Sequence, residues 1–365
     1  MKKIRIKTHQ GFYPVTIGNS YIDQLFTLLE KNNLHHSLFL VIDENVAHYH
    51  LGIIQSAFSQ YKGKVSYTLL PSGERVKSYT ELIKIHERLT NYNFGRESTL
   101  IAIGGGVTGD TAGYAAAAYL RGIQLVHIPT TLLAMIDSAI GGKTGINFKG
   151  RKNVIGAFHQ PRLVFVDTMF LSSLPQTEFN SALGELTKYG LISNQEFHHY
   201  LTENIEKINS SENRSIEKAI IESIKIKAGV VEQDEFEQRG LRKILNLGHT
   251  FAHAFESNLG FRIKHGEAVT AGIVCALFLS HKLGLLTSTK LEKLLSLPKK
   301  INVPRKIKSV EDGKIIEAMF SDKKNREDKI LFVLISDIGK IVVDVPVEKR
   351  NIIFAINKMK EFFAL

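Results

Sequence analysis

The sequence contains few cysteine, tryptophan or proline residues. Among its 365 residues are one cysteine, no tryptophan and eight prolines. A single cysteine excludes a disulfide within the chain and a thiolate-rich metal site. Because Cys275 lies in an apolar helical run, we expect it to be a small buried side chain. This composition is typical of a protein of the reducing cytoplasm.

Long apolar runs and dense runs of charge are also missing. No stretch approaches the roughly 18 apolar residues of a membrane span, and the alternating N-terminus lacks the apolar core of a signal peptide. The formal net charge is +11, but the lysines are scattered and no nucleic-acid-binding motif accompanies them. We therefore expect neither a membrane nor a nucleic-acid partner. A generally basic surface and a pocket for anions explain the charge better.

Strands and helices alternate in the first half of the sequence, which predicts a parallel α/β sheet. The predicted strands are 2–8, 13–17, 38–42, 65–70, 100–103, 125–127 and 164–166, and the helices include 78–91 and 108–120. After about residue 174 helical periodicity dominates, at 178–191, 216–232, 245–259, 267–283 and 288–297, with one hairpin at 330–345. We therefore expect an α/β domain over 1–174 and a mainly helical domain over 175–365.

Three histidines form the most informative cluster. His249 and His253 are four residues apart and share a helix face, and a second helix after Gly260 could bring His265 to them. Converging imidazoles are a candidate Zn²⁺ site that needs one more ligand; the alternative is ordinary surface or core histidines. Arg242 and Asn246 extend the face of His249 and His253 at helical spacing, which predicts one polar stripe.

An acid and a base at helical spacing occur earlier in the second half. Glu185 and Lys188 are three residues apart. They are either a surface ion pair, worth well under 1 kcal/mol, or a metal ligand with a lysine on the same face.

Two glycine-rich segments favour anion binding. Gly104, Gly105 and Gly106 end a buried strand and open a helix, whose N-terminal N–H groups can bind a pyrophosphate. The spacing is not that of the usual dinucleotide fold, and such a turn also serves tight packing. Residues 141–145 place Lys143 in a flexible glycine frame, a good arrangement for binding an anion. Between these segments Thr130 and Thr131 can cap a helix or bind a ligand.

Several longer motifs resemble the 3-dehydroquinate synthase family, part of the sugar-phosphate cyclase superfamily. They are IPTTLLA at 128–134, DSAIGGKTGIN at 137–147, KNVIGAFHQP at 152–161, LNLGHT at 245–250 and DKK at 322–324. The resemblance covers nearly the whole chain and implies an N-terminal NAD-binding domain, a C-terminal metal- and substrate-binding domain, and a homodimer. The segment 234–242 is one residue longer than the family pattern, so either Glu237 or Gln238 takes the place of the family's glutamate.

The resemblance also implies roles for individual residues. Glu185, His249 and His265 would bind Zn²⁺ or Co²⁺, with His253 outside the ligand set. The residues implied for NAD are Ser72, Gly73, Glu74, Arg75, Val76, Lys77, Gly106, Val107, Thr108, Gly109, Asp110, Thr130, Thr131, Lys143, Lys152, Phe170, Leu171, Ser172 and Ser173. Those implied for substrate and catalysis are Asp137, Lys143, Asn153, Lys188, Lys227, Arg242, Asn246 and His253, one of Lys323 and Lys324, and Arg121, which would reach the substrate phosphate of the partner subunit.

The implied activity is that of a lyase of the shikimate pathway, which leads to chorismate and the aromatic amino acids. It would convert 3-deoxy-D-arabino-heptulosonate 7-phosphate, a small sugar-acid phosphate, into 3-dehydroquinate and phosphate with transient reduction of NAD. One alternative is another sugar-phosphate cyclase, whose substrate lacks a carboxylate. A second is an NAD- and metal-dependent polyol dehydrogenase of the same fold. Arg242 and Asn246 favour a substrate with a carboxylate.

Overall fold

The computed structural model describes residues 1–260, 262–321 and 329–364. The chain divides into two compact units, one of Met1–Pro175 with Lys227–Phe236, the other of Gln176–Ile226 with Glu237–Leu365. The first break therefore lies one residue after the predicted boundary. The segment Lys227–Phe236, which we had placed in the second half, instead groups with the first unit, because hydrogen bonds such as Lys7 N to Glu232 Oε1 (2.8 Å) tie it there.

The first unit contains a seven-stranded sheet in the order β1-β2-β9-β6-β5-β3-β4. Its strands are β1 Lys2–Thr8, β2 Gly11–Gly18, β3 Ser37–Asp43, β4 Lys64–Leu70, β5 Ser98–Gly104, β6 Gln124–Pro129 and β9 Leu163–Asp167. All neighbours pair in parallel except β1 with β2. These are the seven predicted strands, and the parallel α/β prediction is confirmed.

The helices of this unit are α1 Leu25–Lys31, α2 Glu44–Ala57, α3 Tyr79–Asn91 and α4 Gly106–Ala118. The chain leaves β3 through α2 towards β4 at the sheet edge, and leaves β5 through α4 towards β6 on the other side. The direction of winding therefore reverses between β3 and β5. In open α/β sheets, ligands bind at the carboxyl ends of the two strands that flank such a reversal.

Our expectation of a flexible glycine frame around Lys143 was wrong. Residues 143–158 form an antiparallel hairpin, with β7 at Lys143–Phe148 and β8 at Arg151–Phe158. The glycines allow the strands to approach closely: a Cβ on Gly156 would lie 2.0 Å from the Thr144 carbonyl oxygen. Lys143 is the exposed first residue of β7.

The described part of the second unit is mainly helical. Its helices are α5 Gln176–Ile192, α6 Gln195–Asn209, α7 Asn213–Gln233 (shared with the first unit), α8 His249–Asn258, α9 His265–Lys282, α10 Ser288–Leu295, α11 Asp312–Ser321 and α12 Lys349–Phe362, and its hairpin is β10 Ile330–Asp337 with β11 Lys340–Val347. No helix in the described ranges is long and apolar enough to cross a membrane.

The single helix predicted over 245–259 was wrong. Residues Leu241–Asn246 form a 3₁₀ helix, and Gly248, with φ of 81°, precedes the start of α8 at His249. The left-handed glycine is required because a Cβ there would lie 2.7 Å from the Ile273 backbone nitrogen. Arg242 and Asn246 therefore do not continue the helical stripe of His249 and His253.

Helices α5, α8 and α9 pack with their backbones in direct contact. A Cβ on Gly184 of α5 would lie 2.0 Å from the carbonyl oxygen of Gly266 in α9. A Cβ on Gly272 of α9 would lie 2.1 Å from the carbonyl oxygen of Gly248, immediately before α8. Only glycine allows approaches this close.

We predict that Gly266→Ala separates α5 from α9, because the new methyl carbon would lie 1.5 Å from the Ser181 carbonyl oxygen. The free energy of unfolding should fall by about 1–3 kcal/mol, as overpacking typically does, measured by urea denaturation. Gly52→Ala is the matched control. Gly52 is exposed in α2 with open space at the Cβ position, so alanine should stabilise by about 0.5–1 kcal/mol. Equal effects at both glycines would contradict the packing argument.

Candidate functional site

The close packing of α5, α8 and α9 brings Glu185, His249 and His265 together. One ligand atom from each lies within 4.8 Å of the others. The Nε2 atoms of His249 and His265 lie 3.2 and 3.5 Å from the same oxygen, Oε1 of Glu185. Glu185 is completely buried, and its other oxygen, Oε2, pairs with Lys188 Nζ. A buried carboxylate oriented towards two imidazole nitrogens fits a divalent metal ion.

The other ring nitrogen of each histidine supports this fit. Nδ1 of His249 lies 3.3 Å from the Leu247 carbonyl oxygen, which can only accept a hydrogen bond. Nδ1 of His265 lies 3.3 Å from Oε2 of Glu256. With Nδ1 donating in both rings, each Nε2 keeps its lone pair for a metal, as is usual for metal-binding histidines. Sequence reasoning missed Glu256; its only signal is an acid seven residues after His249 on an apolar helix.

The charged groups of the cluster stabilise one another. Burial would raise the pKa of Glu185, but Lys188 and His249 outweigh it and hold that pKa well below its usual range. Burial would lower the pKa of His265, but Glu185 and Glu256 outweigh it and raise the pKa to about 10. A metal ion would replace the proton on His265. Lys188 is almost fully buried and pairs with Glu185, so the surface ion-pair interpretation was wrong.

His253 lies beside the cluster but is not part of it. Its ring centroid is 5.7 Å from that of His249 and 6.3 Å from that of His265, and the side chain is exposed. With Glu185, His249 and His265 as its three protein ligands, a metal ion would keep an open position, as catalytic metal sites require.

We predict that His265→Ala abolishes stoichiometric metal binding, because it removes one of three ligands. His253→Ala, one turn from His249 on the same helix, is the matched control and should retain its metal. Metal content after dialysis, measured by atomic absorption, checks both. Full metal content in His265→Ala, or equal loss in the two variants, would contradict the ligand set.

In the first unit, the N-terminus of α4 is open to an anion. Its cap residue is Gly105, which offers no capping side chain, whereas Asp43 caps α2 and Ser78 caps α3. A Cβ on Gly105 would lie 3.1 Å from the Thr131 side chain. The uncapped N–H groups at the reversal between β3 and β5 therefore fit a dinucleotide pyrophosphate.

Sequence reasoning missed Asp43 at this end of the sheet. Asp43 is the last residue of β3, and its carboxylate accepts hydrogen bonds from Ser72 Oγ (2.6 Å) and the Asn45 backbone (2.9 Å). In dinucleotide-binding folds an acid about 20 residues after the glycine-rich turn binds a ribose hydroxyl; Asp43 comes before that turn in sequence but lies beside it in space, because β3 pairs with β5. We therefore add Asp43 to the residues that would hold NAD. Its only signal in the sequence is its place at the end of a buried strand.

The other residues implied for NAD lie near this edge or after neighbouring strands. Lys77 Nζ binds Asp110 Oδ2 (2.7 Å) and also Asn153. Asn147 Nδ2 donates to Glu74 Oε1 (2.8 Å), which ties the loop after β4 to the β7–β8 hairpin. The loop after β4 also contains Gly73, Arg75 and Val76, and the first turn of α4 contains Val107, Thr108 and Gly109. Thr130 directly follows β6, and the 3₁₀ helix after β9 contains Phe170, Leu171, Ser172 and Ser173. Lys152 is exposed on β8.

The residues implied for substrate occupy both units. In the first unit, Lys227 Nζ donates to the carbonyl oxygen of Asp137 (2.8 Å) and pairs with its carboxylate. Asp137 lies in a π-helical turn, a feature frequent at functional sites. Arg121 (φ 69°) and Asn153 (φ 54°) are held in the left-handed region. In the second unit Arg242 is buried and Asn246 half-buried. Lys323 and Lys324 lie outside the described residues.

The fold has clear counterparts among solved structures. The crystal structure of 2-deoxy-scyllo-inosose synthase complexed with carbaglucose-6-phosphate, NAD⁺ and Co²⁺ is similar with a TM-score of 0.87 and 26% identity over 99% of each chain. Glycerol dehydrogenase from Schizosaccharomyces pombe is similar with a TM-score of 0.67, covering 95% of this chain and 89% of that one; at 17% identity it shares the fold alone. The fold and the Glu-His-His cluster thus indicate the class of proteins to which the sugar-phosphate cyclases belong.

Sequence comparisons narrow the class to one family. The models for the 3-dehydroquinate synthase N-terminal and C-terminal domains match residues 67–181 and 182–325. The chain is 37% identical to the 3-dehydroquinate synthase of Acetivibrio thermocellus over 92% of both proteins. It is 38% identical to that of Thermoanaerobacter pseudethanolicus, covering 94% of this chain and 96% of the relative. The chain belongs to the 3-dehydroquinate synthase family.

Proposed function

We propose that the protein converts 3-deoxy-D-arabino-heptulosonate 7-phosphate into 3-dehydroquinate and phosphate. The observation that carries the proposal is the convergence of Glu185, His249 and His265. The chain belongs to the family named for this reaction. We also propose a homodimer and a cytoplasmic location. The dimer rests on the family resemblance, and the location on the single cysteine.

The proposed site combines two cofactors. NAD would be held at the N-terminus of α4 and by Asp43, and Zn²⁺ or Co²⁺ by Glu185, His249 and His265. When bound, NAD would supply the transient oxidation of a substrate hydroxyl, and the metal would act as a Lewis acid at that oxygen. The chemistry of the donor set, one carboxylate and two imidazoles, suits either metal.

The remaining residues would bind and orient a substrate with two anionic ends. Arg242 and Lys227 would pair with the carboxylate, because a planar guanidinium matches its two oxygens. Lys143, Asn153 and His253 would bind the phosphate, and Arg121 would reach the substrate phosphate of the partner subunit. Asp137 and Lys188 would hold hydroxyl groups and move their protons.

A phosphate-release assay run alongside absorbance at the NADH band tests the function. With the heptulosonate phosphate, NAD and Zn²⁺, we expect many turnovers of phosphate without accumulation of NADH, because the cofactor is oxidised again in each cycle. Stoichiometric NADH without phosphate would support the polyol dehydrogenase alternative and contradict the proposal.

In the same assay, Arg242→Ala should lose kcat/KM by roughly 30-fold to several thousand-fold, because truncating one partner of a buried charge pair costs about 2–5 kcal/mol. Arg242→Lys should recover only part of this, since an ammonium lacks the planar fork. Arg350→Ala, at an exposed ion pair, is the control and should be neutral. Wild-type efficiency in Arg242→Ala would show that Arg242 does not bind the substrate carboxylate.

A further inference from the structure

The Glu235 side chain connects the segment Lys227–Phe236 to the rest of the first unit through hydrogen bonds. Its Oε2 accepts from the His9 backbone N–H (2.7 Å), and its Oε1 accepts from Gln160 Nε2 (2.9 Å) and lies 3.1 Å from His9 Nδ1. The side chain is 9% exposed. Phe236 packs against the ring of His9 with centroids 4.9 Å apart. A carboxylate with three nitrogens around it, largely shielded from water, is a strong local anchor.

Gln160 also contacts the turn that leads into Lys143. A Cβ on Gly142 would lie 2.7 Å from Gln160 Cδ, and the His159 backbone N–H donates to the Gly142 carbonyl oxygen (2.7 Å). The Gln160 side chain therefore lies between two elements that each carry a cation. One is the β7 strand, which begins with Lys143, and the other is the segment that begins with Lys227.

The position of Lys227 depends on how this segment is held. Lys227 lies in the last two turns of α7, which ends at Gln233, two residues before Glu235. Because a helix is rigid over so short a length, fixing its end fixes the direction in which Lys227 points. That direction matters, since Lys227 Nζ reaches both the carbonyl and the carboxylate of Asp137.

We propose that Glu235 and Gln160 form a positioning pair that sets Lys227 for the substrate carboxylate. This inference rests on the proposed function. Neither residue contacts the substrate; both act through Lys227. Disturbing the pair should therefore raise KM for the heptulosonate phosphate and leave NAD affinity unchanged.

The first part of the test is a charge swap. Gln160→Glu removes the donor and places a second carboxylate against Glu235, which should raise KM about tenfold or more, since like charges brought together repel. Adding Glu235→Gln restores a carboxylate facing an amide and should return KM to within about threefold of wild type, roughly 0.7 kcal/mol. Gln160 and Glu235 line a cavity of about 270 Å³, and exposed Gln10 lines it too, so Gln10→Glu is the control for added charge. A swap that fails to rescue KM would overturn the proposal.

The second part asks whether the pair acts through Lys227. Lys227→Met should raise KM, and in that background Gln160→Glu should raise it no further, as coupled residues in a double-mutant cycle behave. Additive effects would overturn the positioning proposal alone. An unchanged KM in Lys227→Met by itself would overturn both that proposal and the substrate role of Lys227. If Gln160→Glu does not fold, Gln160→Met, which only removes the donor, should show the same coupling with a smaller rise in KM.

Discussion

The direct backbone contact of α9 with α5 and α8 is the constraint on which the cluster of Glu185, His249 and His265 depends. Gly184 and Gly266 meet at one contact, and Gly248 and Gly272 at the other. Each ligand is the immediate neighbour of a contact glycine: Glu185 follows Gly184, His249 follows Gly248, and His265 precedes Gly266. The distances among the ligands are therefore set by backbone contacts rather than by long flexible side chains. Side chains fixed in this way would be preorganised for a metal ion.

Such packing also explains why costly charges remain buried. An isolated ionised carboxylate is strongly disfavoured in an apolar interior. Glu185 is buried beside Lys188, His249 and His265, and Glu256 is buried behind His265. The opposite charges of these groups compensate one another only in this arrangement. A substitution that moves one helix would therefore leave buried charge uncompensated.

Much of the fold was predictable because strand alternation and helical periodicity are local properties. The seven strands of the sheet follow from short apolar runs. The break before His249 did not follow, since residues 245–259 keep an unbroken helical period, and the left-handed Gly248 packs against Ile273, which is distant in sequence. The grouping of Lys227–Phe236 with the first unit depends on hydrogen bonds between residues more than 200 positions apart. Asp43 and Glu256 were missed because nothing in the neighbouring sequence marks them. Only the fold places Asp43 beside the start of α4 and Glu256 beside His265.

The positions of the cationic side chains say more about possible partners than the net charge does. The +11 net charge first suggested nucleic acid as one class of partner. However, Lys188, Lys227 and Arg242 are each at least 93% buried, and a cation is seldom placed there unless an anion compensates it. Glu185 and Asp137 provide anions for the two lysines. The two buried lysines therefore belong to internal ion pairs and not to a surface that could bind nucleic acid.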